Sequence, residues 1–298
     1  MAEGGMMNCI RQEVTDRWAM YHGDCVEVME GLPERSIDYS IFSPPFASLY
    51  TYSNSPRDMG NCRDHAEFFE HFDFLVAQLL RVMKPGHNVS FHCMLLPTSK
   101  ERDGYVGLSD FRGDLIRAFQ KRGFIYASEV CIWKDPVMAM QRTKALGLLH
   151  KTVRGNATMS RQGIPDYLVT MRAPGEIVDR VLHGEEYPVS KWQKIASPIW
   201  TDIDPGDTLQ FRSAREDDDE RHICPLQLEV IRRGIDLWTN PNDTVLSPFA
   251  GIASEGHVAV EMGRRFIGIE LKSSYYDQAV LNIRAAAVQS DLFGEESA

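Results

Sequence analysis

Two short stretches of the chain carry residue types that could do chemistry. The first is Ser43-Pro44-Pro45-Phe46, which closes the strand-like run from Ser36 to Phe42. Two adjacent prolines remove two backbone donors and fix two φ angles, so the chain must leave a sheet there. Such a turn is either a plain strand stop or a rigid platform that presents a serine hydroxyl and an aromatic ring. The second stretch is "LSPFAGIASEG", Leu246 to Gly256. Gly251 permits a tight turn and close approach to the backbone, and a helix starting just after it offers unpaired N–H groups to a carboxylate or phosphate. The following run, "RFIGIEL", reaches Glu270. An acid at the end of that strand matches the position that hydrogen-bonds ribose hydroxyls in nucleotide-type cofactors.

The elements that must position these residues alternate along the chain. "SIDYSIF" reads as a strand. Phe68, Phe72, Leu75, Val76, Leu79 and Met83 recur at helical spacing, which predicts a helix over 65–84 stopped by Pro85-Gly86. "HNVSFHCML" is a second strand, 110–122 a helix closed by Gly123, and "FIYASEVCIW" a third strand. The pattern weakens after Trp133, returns in the strand-like "PDYLVTMR", and fades again over 173–221. Pro225 to Trp238 reads as a helix with proline in its first turn. "DTVLSPF", a helix over 254–263, "RFIGIEL" and a helix over 274–288 complete a strand–helix–strand crossover. That order predicts an α/β fold with a mostly parallel, twisted sheet and helices on both faces. Ligands of such sheets lie beyond the carboxyl ends of strands, where both stretches begin.

Composition narrows the setting. With 298 residues, 43% hydrophobic and 25% charged, the chain is of ordinary globular make-up. No apolar run approaches the roughly 18 residues that span a bilayer. The first residues lack the basic flank and apolar stretch of a secretion signal, so a cytoplasmic setting is expected. The six cysteines (Cys9, Cys25, Cys62, Cys93, Cys131, Cys224) are scattered, which suits a reducing compartment. His92-Cys93 and His222-x-Cys224 are too short and isolated for zinc, and no metal is expected. The net charge of −10 argues against a generic nucleic-acid coat, but Lys134 to Arg172 holds seven Lys/Arg against two Asp. A basic face on an acidic protein can still track phosphates, because salt screens over about 8 Å.

Taken together, "GDCVEVMEGLPERSIDYSIFSPPF" and the later "DTVLSPFAGIASEGHVAVEMGRRFIGIEL" resemble the DNA amino-methyltransferases. That family carries a catalytic [DNS]-P-P-[YFW] motif and a cofactor motif of the form D-P-F-x-G-x-G. Having the catalytic motif first is the permuted arrangement called beta. The resemblance covers about residues 18–133 and 221–285. It implies a Rossmann-like methyltransferase fold with a core of 1–133 and 221–298, leaving an irregular region, 134–220, for target recognition. It implies S-adenosyl-L-methionine as cofactor, double-stranded DNA as substrate, a restriction–modification setting of bacterial or phage type, and homodimers as a common assembly. Phe249, Ala250 and Gly251 would surround the cofactor's methionine and ribose, Glu270 would take the ribose hydroxyls, and Asp24 with Cys25 would lie near its adenine. Two positions depart from the family motif. Ser247 stands where an acid is usual, and Ala253 replaces the second glycine, which keeps the turn if its φ stays negative.

The residues suit the reaction that the resemblance implies. An amine conjugated into a base is a poor nucleophile and needs acceptors that draw its N–H groups out of the ring plane. The Ser43 hydroxyl and the Pro44 carbonyl are such acceptors, with Pro45 holding the turn, and they act by positioning and electrostatics. Phe46 would stack on a base flipped from the duplex. Arg142, Lys144, Lys151, Arg154 and Arg161 would hold phosphates while nearby Gln, Asn, Ser and Thr read base edges. Serine at the first motif position leans toward N4 of cytosine, with N6 of adenine open. The alternatives are a DNA-binding relative with a weakened cofactor site, or a methyltransferase acting on RNA or a protein amide. Enzymes of the last kind usually place the cofactor motif first.

Overall fold

A computed structural model describes residues 7–45, 59, 62, 65–143, 146–210 and 225–294. The chain opens with β1 (Arg11–Val14) and β2 (Trp18–His22), then runs through α1 (Cys25–Glu30), β3 (Ile37–Phe42), α2 (His65–Val82) and β4 (Met83–Met94). A small ribbon follows, β5 (Leu96–Pro97) and β6 (Leu108–Ser109), with α3 (Lys100–Asp103) between its strands. Next come α4 (Phe111–Lys121), β7 (Ile125–Ile132), α5 (Pro136–Thr143), α6 (His150–Gly155), β8 (Asp166–Arg172), α7 (Val189–Ile195) and β9 (Ile199–Trp200). The C-terminal part holds α8 (Leu228–Trp238), β10 (Thr244–Ser247), α9 (Ser254–Glu261), β11 (Arg265–Glu270) and α10 (Ser273–Gly294).

Nine strands form one sheet in the order β1-β2-β11-β10-β3-β4-β8-β7-β9. The five from β2 to β4 are parallel, as the crossover pattern predicts. Strand alternation divides the core between two faces. Phe42 and Phe91 meet Val28, Phe72, Leu75 and Phe119 of α1, α2 and α4 on one side. Tyr39, Ile41 and Val245 meet Val230, Val258 and Ile283 of α8, α9 and α10 on the other. A Cβ added at Gly256 would come within 2.5 Å of the Phe266 ring, so the glycine lets α9 lie close on β11.

β3 is buried along its whole length, and two of its polar side chains, Ser40 and Asp38, reach across to β10. Ser40 Oγ donates to the Leu246 carbonyl at 2.9 Å, and Asp38 Oδ2 accepts the Thr244 N–H at 2.8 Å. These bonds pin together segments 206 residues apart in sequence. From this pair the connections diverge: β3 hands the chain to β4 on one side, and β10 to β11 on the other. The switch point of the sheet therefore lies between β3 and β10.

The structure departs from the sequence reading in four places. Pro85 and Gly86 do not end α2; they sit inside β4, where Gly86 has φ +77° and the pairing with β3 slips between Ile37 and Tyr39. A bulge absorbs the dipeptide that read as a stop. α8 starts at Leu228, so Pro225 precedes the helix instead of lying in its first turn. The stretch after Lys134 contains α5 and α6 where loops were expected. Finally, 134–220 is not wholly an insertion, because β8 lies inside the sheet between β4 and β7. No helix among the described residues is long and apolar enough to cross a membrane.

Candidate active site

The two stretches singled out by their chemistry become neighbours. Leu246 pairs with Ser40 and Val245 with Tyr39, so Ser43 and Phe249 leave adjacent parallel strands side by side. Their junction is marked by the rings of Phe42 and Phe249, with centroids 5.8 Å apart. Pro44 is buried, while Ser43 and Pro45 remain partly open. Phe46 lies outside the described residues.

The turn after β10 is held from β11. The Ala250 N–H donates to the Ile269 carbonyl at 2.9 Å, and the Gly251 N–H donates to Glu270 Oε2 at 2.8 Å. The other carboxylate oxygen of Glu270 accepts the Lys272 N–H at 2.7 Å. Gly251 has φ +54°, and a Cβ built on it meets no atom within 4 Å. The backbone there borders open space, as close approach of a ligand requires. Ala253 corrects the expectation of a negative φ: it sits at φ 62°, ψ 48°, with its N–H donating to the Ala250 carbonyl at 2.7 Å. The turn thus keeps a left-handed conformation without the glycine that favours it, at a cost of about 1–2 kcal/mol. Ser247 is fully buried, and its Oγ has no hydrogen-bond partner among the described residues.

β2 brings Asp24 to the same edge, since His22 pairs with Glu270 and the Gly23 N–H donates to the Glu270 carbonyl at 3.0 Å. Asp24 caps α1, with Oδ1 accepting the Val26 and Glu27 N–H groups at 2.9 and 3.1 Å. Cys25 follows directly as the first residue of α1. Its side chain packs into the core, and burial pushes its thiol far up. One carboxylate, one open glycine and one unpartnered buried hydroxyl thus converge beyond β10 and β11. Each carboxylate oxygen has a second lone pair, so Glu270 can brace the turn and still accept hydroxyls. This donor set fits a cofactor that carries a ribose and an amino-acid group. Glu255, in the first turn of α9, is also buried, and desolvation pushes its carboxyl up to about 8.

A polar chain that the sequence reading missed runs from Ser43 across the sheet. Ser43 Oγ is 3.2 Å from His92 Nδ1. His92 Nε2 is 3.0 Å from Asp166 Oδ2, at ion-pair distance although short of ideal hydrogen-bond alignment. Lys134 Nζ is 2.6 Å from the same oxygen. Burial raises the Asp166 carboxyl, but the His92 ring and the Lys134 ammonium beside it outweigh that and hold the group below the usual range. Lys134, counted above among cations of a basic face, is therefore engaged at the base of that segment. The only local signal was a histidine and a serine near the ends of two successive strands of the sequence pattern.

Of the residues expected to hold DNA, Lys151 and Arg154 lie exposed on α6. Arg161 is partly buried, and its NH1 donates to the Gln162 carbonyl at 3.1 Å. Arg142 belongs to α5, and Lys144 lies outside the described residues. No group of three or more His, Cys, Asp or Glu suited to a metal occurs among the described residues.

A doubly wound sheet with its candidate site at the switch point defines an α/β fold of the Rossmann-like class. Residues 37–281 match the N6/N4 methyltransferase model, described as DNA methylase, and the chain belongs to that family. It is 24% identical over 263 residues to the type II methyltransferase M.BglII of Bacillus subtilis, covering 87% of this chain and 67% of that one. It is 23% identical over 279 residues to the DNA adenine methyltransferase YhdJ of Escherichia coli, covering 93% and 85%. Among solved structures, the cytosine-N4-specific PvuII DNA methyltransferase shares the fold at 18% identity and TM-score 0.64, with 93% of each chain covered. A Thermus thermophilus protein described as a DNA modification methylase, solved with S-adenosyl-L-methionine, matches at TM-score 0.66 and 20% identity, covering 91% and 96%.

Proposed function

We propose that this DNA methyltransferase uses S-adenosyl-L-methionine to methylate an exocyclic amino group of a base flipped out of duplex DNA, cytosine N4 being the first candidate. The observation that carries this reading is the adjacency of Ser43 and the Phe249–Gly251 turn at the switch point of the sheet. S-adenosyl-L-methionine supplies an electrophilic methyl group on a sulfonium. Glu270 and the open backbone at Gly251 would hold its ribose, Ser247 and the start of α9 its amino-acid end, and Asp24 its adenine side. Ser43 and the Pro44 carbonyl accept the two N–H groups of the target amine and aim its lone pair at the methyl carbon. Pre-set acceptors of this kind cost no reorganisation during the reaction. A base stacked inside a duplex cannot reach strand ends, so the target nucleotide must be extruded.

The serine favours cytosine, whereas the same geometry accommodates adenine, and the named relatives act on both bases. The α5–α6 segment, with Lys151, Arg154 and Arg161, would read a specific sequence context, and a homodimer is the expected assembly. Incubation with plasmid DNA and S-adenosyl-L-methionine, followed by nucleoside mass spectrometry, tests the reading. N4-methylcytosine is the expected product. N6-methyladenine would move the target to the other base, and unmodified DNA would sink the enzymatic reading.

A further inference from the structure

A hydroxyl is at once a donor and an acceptor. A serine receiving an amine works only if its own hydrogen is held elsewhere. In this protein that hydrogen has a destination, because Ser43 Oγ lies 3.2 Å from His92 Nδ1. The far side of the ring decides which nitrogen can accept. His92 Nε2 lies 3.0 Å from Asp166 Oδ2, an ion-pair distance without hydrogen-bond alignment, and because an ionised carboxylate can only accept, we place the ring hydrogen on Nε2. Nδ1 is then bare. Lys134 Nζ, 2.6 Å from that same carboxylate oxygen, already balances its charge. Strand pairing places His92 and Asp166 and the strand end that carries Ser43: β3 runs beside β4, and β4 beside β8, in registers that set Phe42 against Phe91 and Met94 against Asp166.

We propose that His92 and Asp166 are positioning residues that fix Ser43 as a hydrogen-bond acceptor and receive its proton during methyl transfer. The inference rests on the methyl-transfer reading above. The target amine gains a bond to the methyl carbon, the electron pair of the broken carbon–sulfur bond stays on sulfur, and one N–H proton becomes surplus. That proton passes to Ser43 Oγ as the Ser43 proton passes to His92 Nδ1. Serine ends unchanged, and His92 becomes an imidazolium facing the Asp166 carboxylate. Loss of that proton to water resets the site.

A long-range 1H–15N spectrum of wild-type protein, labelled in its histidine rings and free of cofactor and DNA, reads the arrangement directly at neutral pH. The expected result is a hydrogen on His92 Nε2 and a hydrogen-bonded, bare Nδ1 whose shift moves to that of an unbonded nitrogen in Ser43→Ala. A hydrogen on Nδ1, alone or in an imidazolium, overturns the proposal. Asp166→Asn can donate to Nε2 and so mixes the tautomers. Its kcat should fall by about 100-fold, with cofactor affinity and KM for DNA unchanged. Wild-type kcat in Asp166→Asn or His92→Gln also overturns the proposal. The two readings fail separately: a wild-type enzyme that methylates no DNA sinks the first, whereas a misplaced His92 proton in an active enzyme sinks only this one.

Discussion

The Gly251 N–H donates to Glu270 Oε2 across 2.8 Å, tying the turn after β10 to the end of β11. One carboxylate thereby shapes the loop and stands ready for a ligand beside it. Glu270→Ala removes this brace and the proposed contact to ribose. Cofactor affinity should fall by about 1.5–3 kcal/mol, the worth of hydrogen bonds to a charged group. DNA affinity should change far less. Calorimetric titration with S-adenosyl-L-methionine, beside fluorescence anisotropy with DNA, separates the two. Equal losses in both would make Glu270 a structural residue.

Ser43→Ala removes an acceptor of the target amine and leaves the cofactor turn untouched. The expected outcome is a kcat lowered by about 100-fold or more, with cofactor affinity preserved. Single-turnover methylation measures it. A turnover equal to that of the wild type would show that the Pro44 carbonyl suffices.

Ala253 holds a left-handed backbone at φ 62° within the cofactor turn. Glycine adopts that conformation without the penalty of a Cβ, although it adds freedom to the unfolded chain. Ala253→Gly should therefore stabilise the protein by a net of about 0.5–1 kcal/mol. Urea unfolding monitored by circular dichroism gives the value, and a destabilised variant would mean that buried packing of the methyl outweighs the backbone term.

Glu255 makes stability depend on pH. Burial raises its carboxyl from 4.5 to about 8, so between those values the folded protein keeps a proton that the unfolded chain has lost. Stability from this group is intact below the unfolded value, declines as pH rises, and levels off above about 8. Glu255→Gln removes the titration. Its melting temperature relative to wild type should climb through that window, and a constant difference across it would refute the assignment.

Lys151 and Arg154 are exposed on α6, in the segment proposed to face DNA. Each phosphate contact contributes about 0.9 to the slope of log affinity against log salt. Lys151→Gln with Arg154→Gln should flatten that slope by about 1.8. An unchanged slope would place the phosphate contacts elsewhere.

Much of the site is legible in sequence because its parts are local. The prolines after Ser43 force a turn, the glycine at 251 opens one, and the period of apolar residues separates strands from helices. Local patterns mislead where partners decide. Pro85-Gly86 reads as a stop because a bulge exists only relative to the neighbouring strand. α7 leaves no apolar stripe to detect because Ile195 is its one buried residue.

The sequence by itself determines the chemistry on offer and the order in which strand ends present it: a rigid serine turn early, a cofactor-type turn late. It determines family membership for the same reason, since those motifs are contiguous. Only the tertiary structure decides that the two turns share a switch point, and that His92, Asp166 and Lys134 stand in line behind Ser43. Those meetings depend on which strands pair and in what register. A slip of one residue would turn every side chain to the opposite face.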